Sequence, residues 1–226
     1  MNRSVKLFCL FVSVNFVFAQ SRITVDDFTV RDTFAEKKVS GINWMNDGKF
    51  YTALTDNKVL KYDITTGQPV QTLVDGGTLS PAIVIDDYSL SADETQLLLQ
   101  TEKQSIYRHS FIAGYFVYNI GSKQLKPLSS GGKQSYATFS PDGSKVAFVR
   151  NNNLFYVTLD GMKEEQVTDD GEFNHIINGT TDWVYEEEFS FVEGFKWAPD
   201  GNKIAYYRFD ESEVKEYNLQ FWAGLL

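Results

Sequence analysis

The chain has 226 residues, enough for one large domain or two small ones, and its 42% hydrophobic and 15% aromatic content supports a sizeable core and argues against disorder. Its formal charge of -9, from 30 acidic and 21 basic residues, speaks against a nucleic-acid partner, because phosphate binding needs a basic face. With two histidines, one cysteine and no CxxC pair, neither a metal site nor a cofactor is expected.

In chain order, the first element is a secretory signal over residues 1–19. Arg3 and Lys6 give a short basic start, and Leu7 to Phe18 is mostly apolar. That stretch is too short for a spanning helix of roughly twenty residues. Small Val17 and Ala19 set a cleavage after Ala19, predicting a periplasmic or secreted protein with no transmembrane span in the mature chain. Cys9 leaves with the signal, so the mature chain carries no thiol and needs no disulfide.

Beyond the signal, one unit recurs: an aromatic or apolar strand end, an Asp-containing turn, then a β-rich run. Full copies are Trp44-Met45-Asn46-Asp47-Gly48, Phe139-Ser140-Pro141-Asp142-Gly143 and Trp197-Ala198-Pro199-Asp200-Gly201, with a degraded copy around Asp93. Asp-Gly suits a chain reversal because Gly accepts positive φ. Second strand pairs follow, as in Val59–Ile64 before Thr65-Thr66-Gly67, Tyr115–Ile120 before Gly121 and Leu154–Leu159 before Asp160-Gly161. Short strands in units of this length predict an all-β partial β-propeller of about four four-stranded blades in an incomplete ring.

Spacings between the four Asp residues are 46, 49 and 58. The excess falls around Ile176 to Val192 and predicts a short helical or loop insertion at a blade edge. It carries Glu186-Glu187-Glu188 between Trp183-Val184-Tyr185 and Phe189-Ser190-Phe191, so the run is expected to be anchored among buried aromatics and to suit a cationic ligand. No continuous helical period is expected elsewhere in the mature chain. The apolar end from Leu219 to Leu226 is expected to mark a truncation of a longer propeller.

Three stretches resemble the dipeptidyl peptidase IV family of serine exopeptidases, in that family's order. They are Tyr107-Arg108-His109-Ser110-Phe111, Ile177-Asn178-Gly179-Thr180-Thr181-Asp182-Trp183-Val184-Tyr185-Glu186-Glu187-Glu188, and Lys196-Trp197-Ala198-Pro199-Asp200-Gly201 with the strand beyond it. The likeness runs from about residue 25 to the last residue, so residues 20–226 would be the front part of the family's propeller. It implies that Glu187 and Glu188 bind a substrate's free N-terminus, that Arg108 holds a substrate carbonyl, and that Glu186 supports them, turned elsewhere. It also implies release of Xaa-Pro or Xaa-Ala dipeptides. Independently, the open blade edge is a strand-pairing hazard, so the isolated chain is expected to aggregate or form a homodimer. Asn178-Gly179-Thr180 fits a glycosylation pattern but is read as part of the signature.

No Gly-x-Ser-x-Gly elbow occurs and no Ser-Asp-His set can be assembled, so no catalytic residue is assigned. The resemblance implies an α/β-hydrolase domain C-terminal to the propeller, which is expected to be absent from this chain, and the chain alone is expected to be inactive. Two alternatives stand beside this reading. One is a non-catalytic envelope propeller that binds cationic peptides; the other is a tripeptidyl peptidase relative with the same anchor and a longer ruler. His109 is expected to be structural, while no role is assigned to His175, Arg208, Asp210 or Glu211.

Overall fold

A computed structural model describes residues 23–31, 33–35 and 40–217. The expected signal segment and the apolar end from Leu219 lie outside them. The chain divides into two units, Met1–Lys38 and Val39–Leu226. The first contains helix α1 (Val25–Thr29), which the sequence reading did not anticipate. Its start is set by Asp27, whose carboxylate accepts the Thr24 N–H at 2.7 Å and the Thr24 hydroxyl at 2.8 Å.

The second unit is a succession of antiparallel meanders. The first sheet is β1 (Ser40–Trp44), β2 (Phe50–Thr55), β3 (Lys58–Asp63) and β4 (Pro69–Asp75), in that order. The second is β5 (Asp87–Leu90), β6 (Gln96–Ser105), β7 (Phe111–Asn119) and β8 (Leu125–Pro127). The third is β9 (Ser135–Phe139), β10 (Lys145–Arg150), β11 (Asn153–Thr158) and β12 (Lys163–Gln166). The expected second strand pairs thus lie on β3, β7 and β11.

The fourth unit differs from its predecessors. β14 (Phe195–Trp197) pairs with β15 (Ile204–Tyr206), while β16 (Arg208–Asp210) pairs with β13 (Ile176–Asn178). The segment between β13 and β14 contains the second helix, α2 (Trp183–Phe189). This is the architecture read from the sequence: bladed antiparallel sheets with a short helical insertion carrying the Glu run.

Side chains alternate across each strand, so a strand with both faces covered must be apolar at every position. Leu97 and Leu99 join Val59, Val74 and Tyr88 between the first two sheets. Leu98, one residue away, points oppositely, into a cluster with Val117, Val146, Phe148 and Phe155. Ala147, Val149 and Leu154 of the third sheet in turn pack against Phe195 of the fourth unit.

The Asp turns are built alike. Asp142 accepts the Ser140 hydroxyl at 2.5 Å, the Ser144 N–H at 3.1 Å and the Ser144 hydroxyl at 2.7 Å; Asp93 repeats this with Ser91 and Thr95. Successive turns also touch one another. Asn46 donates to the Ala92 carbonyl at 2.7 Å, Gln96 to the Gly143 carbonyl at 3.3 Å and Lys145 to the Gly201 carbonyl at 3.1 Å. Gly201 has φ +66°, and a Cβ there would lie 3.3 Å from an Asp142 carboxylate oxygen, so the close stacking of turns suits glycine. The four turns therefore line one end of the blades. β6 runs from the Asp93 turn toward residues 106–110, and α2 enters β14 at the end away from the Asp200 turn. Residues 106–110 and α2 accordingly share the opposite end.

The hydroxyls of Ser140, then those of Ser144, hold the Asp142 carboxyl down to about 2. A depressed folded value adds stability above the ordinary carboxylate value near 4, and that stability fades as pH falls toward 2. Asp142→Ala is expected to cost about 1 kcal/mol at neutral pH, since the group is exposed. Urea unfolding of both proteins at pH 7 and pH 2.5 should show the gap closing in acid.

Candidate functional site

Two peptide segments build the site: the β6–β7 hairpin tip and the insertion between β13 and β14. The insertion is fastened at its neck. The Thr180 hydroxyl donates to the Val192 carbonyl at 2.8 Å, and the Thr181 hydroxyl to the Phe191 carbonyl at 2.6 Å. Gly194 closes the base, its N–H donating to the Gly179 carbonyl at 3.0 Å. An added Cβ at Gly194 would stand 2.9 Å from the Thr180 carbonyl oxygen, so only glycine allows this approach.

Helix α2 then starts at Asp182, whose carboxylate accepts the Tyr185 N–H at 2.8 Å. It ends at Ser190, which takes the left-handed conformation with φ 51°. Tyr185 ties the helix to β16 through the Phe209 ring, 5.0 Å away, and meets Phe189 one turn on at 5.5 Å.

Successive helical residues are turned by about 100°, and that rotation separates the three glutamates. Glu186 points inward and is only 3% exposed. Its Oε1 accepts the His109 N–H at 2.7 Å and the Ser110 N–H at 2.8 Å. Burial raises its pKa, but the Ser110 and His109 hydrogen bonds together outweigh burial and hold the carboxyl below its ordinary value. Glu187 is largely covered, and its Oε2 lies 3.2 Å from Nη2 of the exposed Arg108. Glu188 is exposed and forms no ion pair with another described residue.

One expectation is corrected here. The aromatics flanking the Glu run are not buried: Trp183 is 57% exposed and Phe189 68%. The run is anchored instead by its own first carboxylate, Glu186, and by the hydroxyl-tied neck. A seven-residue helix has too narrow an inner face to bury aromatics on both sides of that residue.

The structure thus joins Arg108 to Glu187 and leaves Glu188 open to solvent one residue further on. His109 contributes its backbone N–H to the site. His175 forms an exposed pair with Glu172 at 3.0 Å, and Arg208 a pair with Asp170 at 2.9 Å. Asn178 is fully buried and donates to Asp170 at 2.8 Å, which is incompatible with a sugar on its amide in this fold. No feature of the sequence pointed to Tyr136. It has φ 58°, its ring meets Phe111 at 5.4 Å, and burial pushes its phenol up to about 12. A cavity of about 710 Å³ lies elsewhere, lined by Ile83, Glu102, Tyr115, Phe116, Lys133 and Gln134 among others.

Residues 91–224, more than half of the chain, match the model for the dipeptidyl peptidase IV (DPP IV) N-terminal region. The chain belongs to the dipeptidyl peptidase IV family. It superposes on the crystal structure of Porphyromonas gingivalis dipeptidyl peptidase 4 with a TM-score of 0.82 and 37% identity, covering 92% of this chain and 30% of that one. It is 30% identical to dipeptidyl peptidase 4 of Sus scrofa over 202 residues, 88% of this chain and 26% of that protein. It is also 30% identical to the prolyl endopeptidase FAP of Homo sapiens over 180 residues, 76% of this chain and 23% of that protein. The chain spans about a quarter of the length of these curated relatives.

Among the described residues, no helix is long and apolar enough to cross a membrane.

Proposed function

We propose that this chain is the substrate-recognition part of a secreted or periplasmic dipeptidyl peptidase, reading the free N-terminus of a peptide. The Arg108–Glu187 ion pair carries this reading, because it joins two residues 79 positions apart at the open end of the blades. A peptide α-ammonium has a pKa near 8 and is mostly charged at neutral pH. Ionised carboxylates accept its protons without offering competing donors. Glu187 and Glu188, adjacent on α2, give it two acceptors and charge-assisted bonds.

Arg108 has two tasks in this scheme. It balances Glu187 while the site is empty, and its remaining guanidinium N–H groups point a fork of donors toward the carbonyl that follows the ammonium. Fixing the amino end and the first carbonyl sets how far the peptide reaches. Cleavage after the second residue then falls to a serine nucleophile in an α/β-hydrolase domain outside these 226 residues, which contain no Gly-x-Ser-x-Gly elbow. The basic and apolar start of the chain supplies the export signal.

Titration of the purified chain with a free-amine Ala-Pro peptide is expected to shift the backbone amide resonances of Arg108, Glu187 and Glu188. The N-acetylated peptide should bind at least tenfold more weakly. Equal shifts from both peptides, or none from the free amine, would overturn the proposal.

A further inference from the structure

We infer that Glu186 is the positioning residue that sets where the Arg108 guanidinium stands, by clamping the backbone of the hairpin tip; this rests on the reading of Arg108 as a substrate ligand. Tyrosines aside, Glu186 is the one ionisable side chain among the described residues that is buried. It meets no cation. Its charge is met by the two backbone N–H groups of His109 and Ser110, 77 and 76 residues away.

The hairpin tip needs such a partner. The β6–β7 ladder ends at the Ser105 and Phe111 pair and has already slipped register between Thr101 and Gln104. Within the tip, the Ile106 N–H donates to the Ser110 carbonyl at 2.8 Å and the Tyr107 N–H to the Ser110 hydroxyl at 3.3 Å. Those bonds shape the turn but do not fix it to anything outside the hairpin. The Glu186 carboxylate does, and it stands on a helix whose own neck is held by Thr180 and Thr181.

The two contacts run in step. Glu186 holds residues 109 and 110, and its neighbour Glu187 meets residue 108. Arg108 is exposed and long, so an ion pair alone would leave it many rotamers. With its backbone docked, the guanidinium starts from a fixed Cα, and less freedom is lost when a peptide binds.

The test uses the full 226-residue chain and the same free-amine Ala-Pro peptide. In Glu186→Ala, hydrogen exchange at the His109 and Ser110 amides should accelerate at least tenfold, while the Leu99 and Phe148 amides keep their wild-type rates. Peptide affinity should fall at least tenfold, and by no further factor when Glu186→Ala is added to Arg108→Ala. Glu186→Gln keeps a carbonyl oxygen for the two N–H groups and should restore most of both properties; it also serves as the comparison if the alanine variant does not fold. Unchanged exchange at His109 and Ser110, full additivity with Arg108→Ala, or a glutamine variant no better than alanine would overturn the inference. A wild-type chain that binds no peptide would sink the recognition role instead, and the exchange rates would still decide whether Glu186 clamps the tip.

Discussion

Phe148→Ala is expected to lower the unfolding free energy of the bladed unit by about 3–5 kcal/mol. Phe148 sits on β10 with no exposed surface, in the cluster that joins the second and third sheets. Its ring is stacked on Phe155 at 5.6 Å with an interplanar angle of 8°, and the Arg150 guanidinium covers Phe155 at 4.2 Å. Truncation removes the ring's burial and leaves a void that Val117 and Val146, both β-branched and already packed, cannot fill. Phe148→Leu should cost distinctly less. Urea denaturation followed by fluorescence measures both; a loss under about 1 kcal/mol for the alanine variant would mean that the sheets do not depend on this contact. Because stacked repeats are coupled mainly to their neighbours, hydrogen exchange should rise first in the second and third sheets.

Glu187→Ala is expected to weaken binding of a free-amine peptide about thirtyfold, since Glu187 is largely covered but its partner Arg108 is exposed, which places the loss at the lower end of the about 2–5 kcal/mol typical of a buried charge pair. Two losses combine: the acceptor for the ammonium, and the counter-charge that keeps Arg108 in place. Glu188→Ala should cost less, because Glu188 stands in water. The effect of Glu188→Ala should also shrink as salt is raised, while that of Glu187→Ala should persist, buried charges being screened less. Calorimetric titrations at low and high salt separate the two. Equal tolerance of both substitutions would remove the ammonium from the site.

Much of the fold was legible because turn chemistry is local. Asp93, Asp142 and Asp200 announce their reversals through Ser, Thr or Asn neighbours that bond the same carboxylate. The widened spacing before Asp200 located the insertion, and Glu-rich composition suggested its helix. Helix α1 was missed although Thr24 and Asp27 stand at cap spacing, because five residues show no period to read. The pairing of β16 with β13 was not legible either, since it joins strands on both sides of the insertion.

The site was legible in type but not in arrangement. Three consecutive glutamates look equivalent in sequence; which one turns inward depends on the phase of α2, and that phase is set by Asp182, Thr180 and Tyr185. Burial of the flanking aromatics was expected from their apolar character, whereas their place on a short projecting helix leaves them in solvent. Glu186 takes the inner position, where its carboxylate accepts the otherwise unpaired N–H groups of His109 and Ser110. Tyr136 gave no signal, as its positive φ is a property of the folded backbone rather than of the residue type.

The stacked Asp turns and the α2 clamp occupy opposite ends of the same strands. The contacts between successive turns and the proposed grip on a peptide would therefore be separate traits, open to adjustment one at a time. Lineages could harden the turn end against heat or acid while leaving specificity untouched, or retune the other end for a new guest without loosening the scaffold.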